Sequence, residues 1–502
     1  MENINLWLMG LSQVFTLQNL LACLIGTIAG VYIGAIPGIG VLTAISVLLP
    51  LTFAFDPTTA IIMLAAIYYG TMYGGAITAV LINIPGDTPN ICTAMEGYEL
   101  TKKGLPGKAL STCFMSSFIG GSIGMIILVL SGPMLARLGL QFGPPELALL
   151  IFLAMTSIGW LLGDNIVTGL LATGLGVLFA TVGTDQAAGL MRFYFGTPNL
   201  MAGVTFVPLV IGVFGFSQVI ELLCSKEGNK AIVQKVSIKD MVLSFKEIKQ
   251  VLPVQIRHGF LGSFIGVLPG AGATTAAFIS YIFERRLNKQ GSKFGTGMME
   301  GCAAPEASNN ACAAMSFAPM LTLGIPGSGA TALLLGGLLM WGLQPGPLLF
   351  TQRPDFVWPL MASFYLGNLV ALLICLISIP LIIRACAVPR IILGVVIFTI
   401  CVVAAYATSN SMFDVFFMLV VGFFTYFLKA AKIASAPILL AFVLTPMLER
   451  FTRQSFDMTR GDPSVFTQSA ISWVLIVLIF VFCLSPTIAK RIKAARSSGK
   501  QT

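Results

Sequence analysis

The sequence predicts an all-α, polytopic membrane protein made of two related halves in opposite orientations. Three observations carry that prediction. The 502 residues are 56% hydrophobic and only 10% charged, with a mean hydropathy of +0.91, which is too apolar for a water-soluble chain. A phrase broken by glycine and proline occurs twice: "AGVYIGAIPGIG" ends at Gly40 and "LGSFIGVLPGAG" ends at Gly272. The charges flanking the two copies differ in kind.

The copies align residue on residue: Gly30 with Gly262, Gly34 with Gly266, Pro37-Gly38 with Pro269-Gly270, Gly40 with Gly272 and Thr43 with Thr275. A second pair follows in the same order, "LINIPGDTPN" (81–90) and "TLGIPGSGAT" (322–331), in which Ile84-Pro85-Gly86 meets Ile325-Pro326-Gly327. The chain therefore divides into an N-terminal interfacial segment (1–18), a first repeat (19–224), a basic cytoplasmic linker (225–257), a second repeat (258–489) and a basic cytoplasmic tail (490–502). The opening "MENINLWLMG" lacks the basic residues of a cleavable signal peptide.

Flanking charge sets orientation, because Lys and Arg stay on the cytoplasmic side. The second copy is bordered by Lys246, Lys249 and Arg257 on one side and Arg285, Arg286, Lys289 and Lys293 on the other, whereas the first has only Glu2 and Asp56. The Ile-Pro-Gly motifs show the reverse: Lys102, Lys103 and Lys108 follow the first, and the near-neutral "LQPGPLLFTQRPDF" follows the second. The halves thus read as inverted repeats. Like flanks imply a re-entrant hairpin, and about a dozen apolar residues per arm give roughly 18 Å, half a bilayer. A single crossing helix broken in its middle is the other reading. With hairpins, crossings fall near 59–83, 110–132, 145–162, 164–183, 199–223, 300–324, 359–383, 391–408, 412–428, 433–448 and 468–489. That makes about 11 crossings plus two hairpins. Arg450, Arg453 and Arg460 land outside against the rule, offset in part by Glu449, Asp457 and Asp462. Asp164 and Asn165 are expected in a short turn, and Asp185 and Arg192 in an external loop.

A Pro-Gly-x-Gly between half-helices stops the first helix and aims the N-terminus of the second at the break. Non-helical backbone at membrane depth must line protein or a watery cavity, so the breaks are candidate binding points. The substrate- and ion-binding candidates on the tips are Pro37, Gly38, Gly40 and Thr43, with Pro269, Gly270, Gly272, Thr274 and Thr275. On the unwound segments they are Asn83, Pro85, Gly86, Asp87 and Thr88, with Pro326, Gly327 and Ser328. The stretch "MMEGCAAPEASNNACAAM" adds Glu306, Asn309 and Asn310, since intramembrane acids mark function by default. The competing reading of Glu306, and the preferred one for Glu300, is a carboxylate near a helix start. Exposed N–H groups and hydroxyls suit a carboxylate, and carbonyls suit a cation.

Other classes are set aside. The net charge of +9 fits basic cytoplasmic loops rather than nucleic-acid binding. Ten cysteines without a CxxC read as small buried hydrophobes, and the single His258 argues against a metal site. An intramembrane protease needs a Ser/His, Asp/Asp or HExxH set that the sequence lacks, so no enzyme activity and no cofactor are expected.

The motifs "GAIPGIG", "YYGTMYGGAITAVLINIPGDTP", "GVLPGAGATTAAFISY", "EGCAAPEASNNA" and "GIPGSGATALLLGG" resemble the large membrane subunit of the tripartite tricarboxylate transporters, the TctA type, from about residue 20 to 450. The resemblance implies a multi-pass bacterial inner-membrane importer of organic anions. It also implies a small membrane subunit and a periplasmic solute-binding protein as partners. With the inverted repeats it suggests a secondary, elevator-like transporter of tri- or dicarboxylates coupled to Na⁺ or H⁺. An antiporter or channel working without a binding protein is the alternative.

Overall fold

The computed structural model describes residues 2–161, 166–185, 188–224, 238–386 and 388–482. Asp164 and Asn165, residues 225–237 of the linker and the whole basic tail lie outside these residues. Among the described residues the regular secondary structure is helical apart from two paired dipeptides, Gly183–Thr184 and Met191–Arg192. Seven described helices are long and apolar enough to cross a bilayer: Leu17–Gly34, Pro57–Ile82, Pro106–Gly139, Phe206–Cys224, Pro354–Ile382, Arg390–Ser409 and Met412–Ala430. Shorter apolar helices include Pro144–Ser157, Val167–Thr181 and Ala470–Phe482. The fold class is thus an all-α polytopic membrane protein.

The chain splits into two compact units, Met1–Arg137 with Thr205–Leu428, and Leu138–Val204 with Lys429–Thr502. In the first unit, the first phrase forms a helix Leu17–Gly34, a turn, and a helix Val41–Leu48 that tightens into a 3₁₀ segment Leu49–Ala54. Its outer ends return to one place: Gln18 Nε2 donates to Asp56 Oδ2 at 3.1 Å, and Thr59 Oγ1 donates to Asn19 Oδ1 at 2.6 Å. Asp56 then caps the helix Pro57–Ile82 through the N–H groups of Thr58 and Thr59. The second phrase repeats the path with helices Phe245–Val267 and Gly272–Leu287. Its arms are joined where Glu284 meets Arg257 Nη2 at 2.5 Å and His258 Nε2 at 2.9 Å. The leading arms hold 18 and 23 residues. Both exceed the dozen expected, and the second continues through Pro253.

The leading arms lie against helices Pro57–Ile82 and Met299–Met315 respectively, through glycines. A Cβ on Gly30 would stand 2.4 Å from the Ile67 carbonyl oxygen, and on Gly34 2.5 Å from that of Thr71. In the second half a Cβ on Gly262 would meet the Ser308 oxygen at 2.2 Å, and on Gly266 that of Cys312 at 2.7 Å. These are the glycine pairs aligned in the sequence. Lipid supplies no hydrophobic drive between helices, so backbone approach at small residues holds them together.

The two Ile-Pro-Gly segments also match. Helix Pro57–Ile82 ends at Asn83 with φ 57°, and helix Phe317–Leu323, which continues Met299–Met315, ends at Gly324 with φ 71°. After the first of these caps the chain doubles back instead of merely unwinding: Gly86 N donates to Gly75 O at 3.3 Å. Helices Ile91–Lys102 and Gly329–Met340 follow, and Thr101 Oγ1 bonds Val80 O at 2.8 Å beside the helix it has left. The Tyr68 ring lies 6.2 Å from that of Phe317, while Asn90, lodged against Gly75, reaches Glu306. Moving from Tyr68 to Gly75 the neighbour changes from Phe317 to Glu306, so the two long helices run antiparallel.

The N-terminal helix Glu2–Val14 packs on helix Pro354–Cys386: a Cβ on Gly10 would stand 2.6 Å from the Trp358 carbonyl carbon, and Trp7 meets Tyr365 edge-on. At the polar end of the second leading arm, Ser244 and Glu247 form a capping box. Lys108, 2.5 Å away, together with the Ser244 groups holds the Glu247 carboxyl down at about 2.

In the second unit, helix Ala436–Met458 packs on Ile166–Thr181, where a Cβ on Gly176 would meet Ile438 O at 2.2 Å. Arg453 Nη2 lies 2.5 Å from Asp185 and 2.6 Å from Glu449, and Arg192 Nη1 lies 2.9 Å from Glu449. One of the three arginines that broke the charge rule is therefore neutralised inside an ion-pair network.

Candidate functional site

The first unit brings the two tips and the two unwound segments together. At the first tip Gly38 takes φ 84°, a conformation that favours glycine. The helix Val41–Leu48 starts immediately after it, but its N-terminus is not open to a ligand. Asp87 Oδ2 accepts the Val41 N–H at 3.0 Å, and Asp87 Oδ1 accepts the Thr88 N–H at 2.7 Å. A carboxylate at a helix N-terminus is favoured by orphan N–H groups and the helix dipole. The anion expected at this tip is thus the protein's own. Thr43 is committed too: its hydroxyl donates to Phe214 O at 3.1 Å, in the π-helical stretch Ile211–Phe216. Wide helical turns of this kind recur at functional sites.

At the second tip Gly270 and Gly272 take φ 77° and 65°. Gly272 N donates to Gly327 O at 3.3 Å, and a Cβ on Gly272 would lie 3.8 Å from Ser328 Cβ. Ser328 occupies the place that Asp87 holds in the first half, yet it is neutral and caps its own helix in a box with Thr331. The helix Gly272–Leu287 has no side-chain cap, and Thr274 and Thr275 stand half-buried on its first turn. Unlike the first, the second helix start carries no carboxylate cap.

Tyr68 connects the two halves. Its hydroxyl lies 3.5 Å from Ser328 Oγ. Pro326 and Gly327 are buried beneath this point, whereas Asn83 and Thr88 are exposed and Pro37 and Pro85 half-buried. Asp87→Ala is expected to cost about 1–2 kcal/mol, the loss of a helix cap. Thermal unfolding of the purified protein measures it, and Asp87→Ser, which makes the halves alike, should recover most of the loss.

A second cluster surrounds Glu306, which is fully buried. Its Oε1 accepts from Asn90 Nδ2 at 3.0 Å and from Thr93 Oγ1; its Oε2 accepts from Ser117 Oγ at 3.1 Å and Asn309 Nδ2 at 3.3 Å. Asn310 Nδ2 bonds the Glu306 carbonyl at 3.1 Å and Asn309 Oδ1 at 2.6 Å. Glu306 thus lies inside the protein, well past the helix start that Glu300 marks. Glu300 sits in the first turn and accepts from Gln250 Nε2 at 2.7 Å.

Sequence reasoning missed several members of these clusters. Tyr68 and Tyr73 lie in the glycine-rich run "YYGTMYGG", which reads as packing; Tyr73 OH donates to Asn368 Oδ1 at 2.6 Å. Thr93 and Glu96 lie in a stretch that reads as interfacial, and Ser117 in an ordinary crossing. A polar residue in an apolar helix was the available signal, but it does not name its partner.

The chain matches the model of the tripartite tricarboxylate transporter TctA family over residues 20–440. It is 36% identical over 486 residues, 96% of each chain, to an uncharacterized 52.8 kDa protein in the TAR-I ttuC' 3' region of Agrobacterium vitis. It is 37% identical over 233 residues to an uncharacterized protein in the TAR-II ttuC' 3' region of the same organism, covering 46% of this chain and 96% of that one. No solved structure matches significantly. The family match spans both tips, both unwound segments and the Glu306 helix, and on that match the chain belongs to the tripartite tricarboxylate transporter TctA family.

Proposed function

We propose that this protein imports organic anions of the tri- and dicarboxylate class across the bacterial inner membrane by cation-coupled alternating access. It receives them from a periplasmic solute-binding protein and works beside a small membrane subunit. The observation that carries the reading is the meeting of two glycine tips and two unwound segments around Tyr68 and Ser328. The antiparallel long helices and the matched glycine contacts support inverted repeats, the arrangement that builds a midplane site with two gates. In this reading the tips are re-entrant and close the site from opposite faces. The hairpins and broken helices move together against the remaining helices, and Na⁺ or H⁺ drives the cycle. The second tip, with Gly270, Gly272, Thr274 and Thr275, takes a substrate carboxylate, while Asp87 holds the first.

The test is uptake of labelled citrate into proteoliposomes containing the chain and its small membrane subunit, with and without the binding protein, under imposed Na⁺ and pH gradients. Accumulation that requires the binding protein is expected. Gly272→Val should abolish it while membrane insertion stays intact, because a β-branched residue is strained at φ 65°. Uptake of inorganic ions alone, independent of the binding protein, favours the antiporter or channel instead.

A further inference from the structure

We propose that Glu306 is the site of the coupling cation and that this cation is a proton, carried as the neutral acid. The inference rests on the transporter reading above and names the ion it leaves open.

The partners of Glu306 come from four stretches of chain: Asn90 from the first unwound segment, Thr93 from helix Ile91–Lys102, Ser117 from helix Pro106–Gly139 and Asn309 from its own helix. All are neutral. The titratable groups that face it are also uncharged at neutral pH: Tyr73, Cys92 and Cys113, the last beside Cys302. No fixed cation balances the acid among these neighbours, so its charge is free to change.

The shell fits both protonation states. With the carboxylate ionised, each oxygen receives two donors. Proton uptake forms one O–H bond and removes the charge; release to the other side breaks the same bond. Two of the four partners are hydroxyls on helices, which can accept from the acid and turn their own protons to a backbone carbonyl one turn back. An Asn amide does the same only by turning over to present its Oδ1.

The shell suits a proton better than a metal ion. Asn309 Oδ1 is fixed by the Asn310 amide at 2.6 Å, so the Asn309 amide nitrogen faces Glu306. A sodium ion needs oxygens where these N–H groups point.

The site is also wired to the first tip. Asn90 and Thr93 lie three and six residues after Asp87, which holds Val41 N. Neutralising Glu306 weakens the charge-assisted bonds to Asn90 and Thr93, and so loosens the segment that pins the tip.

Difference infrared spectroscopy of the purified full chain tests the proposal without transport. The expected result is a protonated-carboxyl band that disappears as pH rises, is absent in Glu306→Gln, and shifts its titration in Thr93→Val and in Ser117→Ala. Those last two variants keep the acid, so they read the site even if Glu306→Gln does not fold. In proteoliposomes, Glu306→Gln should lose citrate accumulation driven by a pH gradient by about tenfold or more. A band that survives in Glu306→Gln, or one that no shell variant moves, overturns the assignment. Accumulation driven by Na⁺ with no proton movement overturns the choice of ion. A titrating Glu306 in a protein that moves no citrate sinks the importer reading instead.

Discussion

Replacing Glu96 with alanine is expected to leave little folded protein. Glu96 is fully buried, and its two oxygens hold four donors. Tyr281 OH donates to Oε1 at 2.9 Å and Gly295 N at 2.5 Å, while Gly297 N and Met298 N each donate to Oε2 at 2.8 Å. This one side chain fixes helix Ile91–Lys102 to the turn that starts helix Met299–Met315, the helix of Glu306. Each buried donor left without an acceptor costs about 1–3 kcal/mol, and the sum is comparable with the whole stability of many domains, about 5–15 kcal/mol. Glu96→Gln should be nearly as damaging. One oxygen becomes an NH₂ facing two donors, so repulsion replaces attraction. The yield of monodisperse protein in detergent and its unfolding temperature are the measurements. Wild-type values for both variants would show that the turn finds other acceptors.

The second large effect is expected at the glycines between the long helices. Gly30→Val and Gly262→Val place a Cβ 2.4 Å and 2.2 Å from backbone carbonyl oxygens of the facing helix. No side-chain rotation relieves a clash with backbone, so the helices must separate along their length. Forced overpacking costs typically about 1–3 kcal/mol, and separation here also removes the neighbouring contacts at Gly34 and Gly266. Both variants should assemble poorly and to a similar degree, since the contacts are equivalent. Gly174→Ala is the control: its Cβ would meet nothing within 4 Å, and better helix propensity makes it neutral or slightly stabilising. If the two valine variants unfold at the wild-type temperature, the close packing described above is wrong.

The candidate site was only partly legible in the sequence. The tip glycines and the Ile-Pro-Gly segments were, because a helix break is a local property of proline and glycine. Asp87 stood out as a carboxylate at a break, but its task did not. The sequence offered it as a substrate- or ion-binding candidate, and the structure makes it the cap of a helix that begins 46 residues earlier. Glu306 was one of two readings until its four donors were seen together. Arg453 looked like a misplaced charge until Asp185 and Glu449 appeared beside it.

By itself the sequence determined the fold class and the paired motifs, and placed most helices without fixing their ends. Apolar length, breakers and flanking charge act within a few turns of chain and within one solvent boundary. Tertiary structure alone decided which polar groups meet. Asn90 and Glu306 are 216 residues apart, Tyr68 and Ser328 are 260 apart, and Tyr73 and Asn368 are 295 apart. Inside a membrane a buried polar group without a partner is costly, but a linear pattern does not say which partner it finds. That choice falls to the packing of helices on their glycine faces, which sets the distances across which those groups can bond.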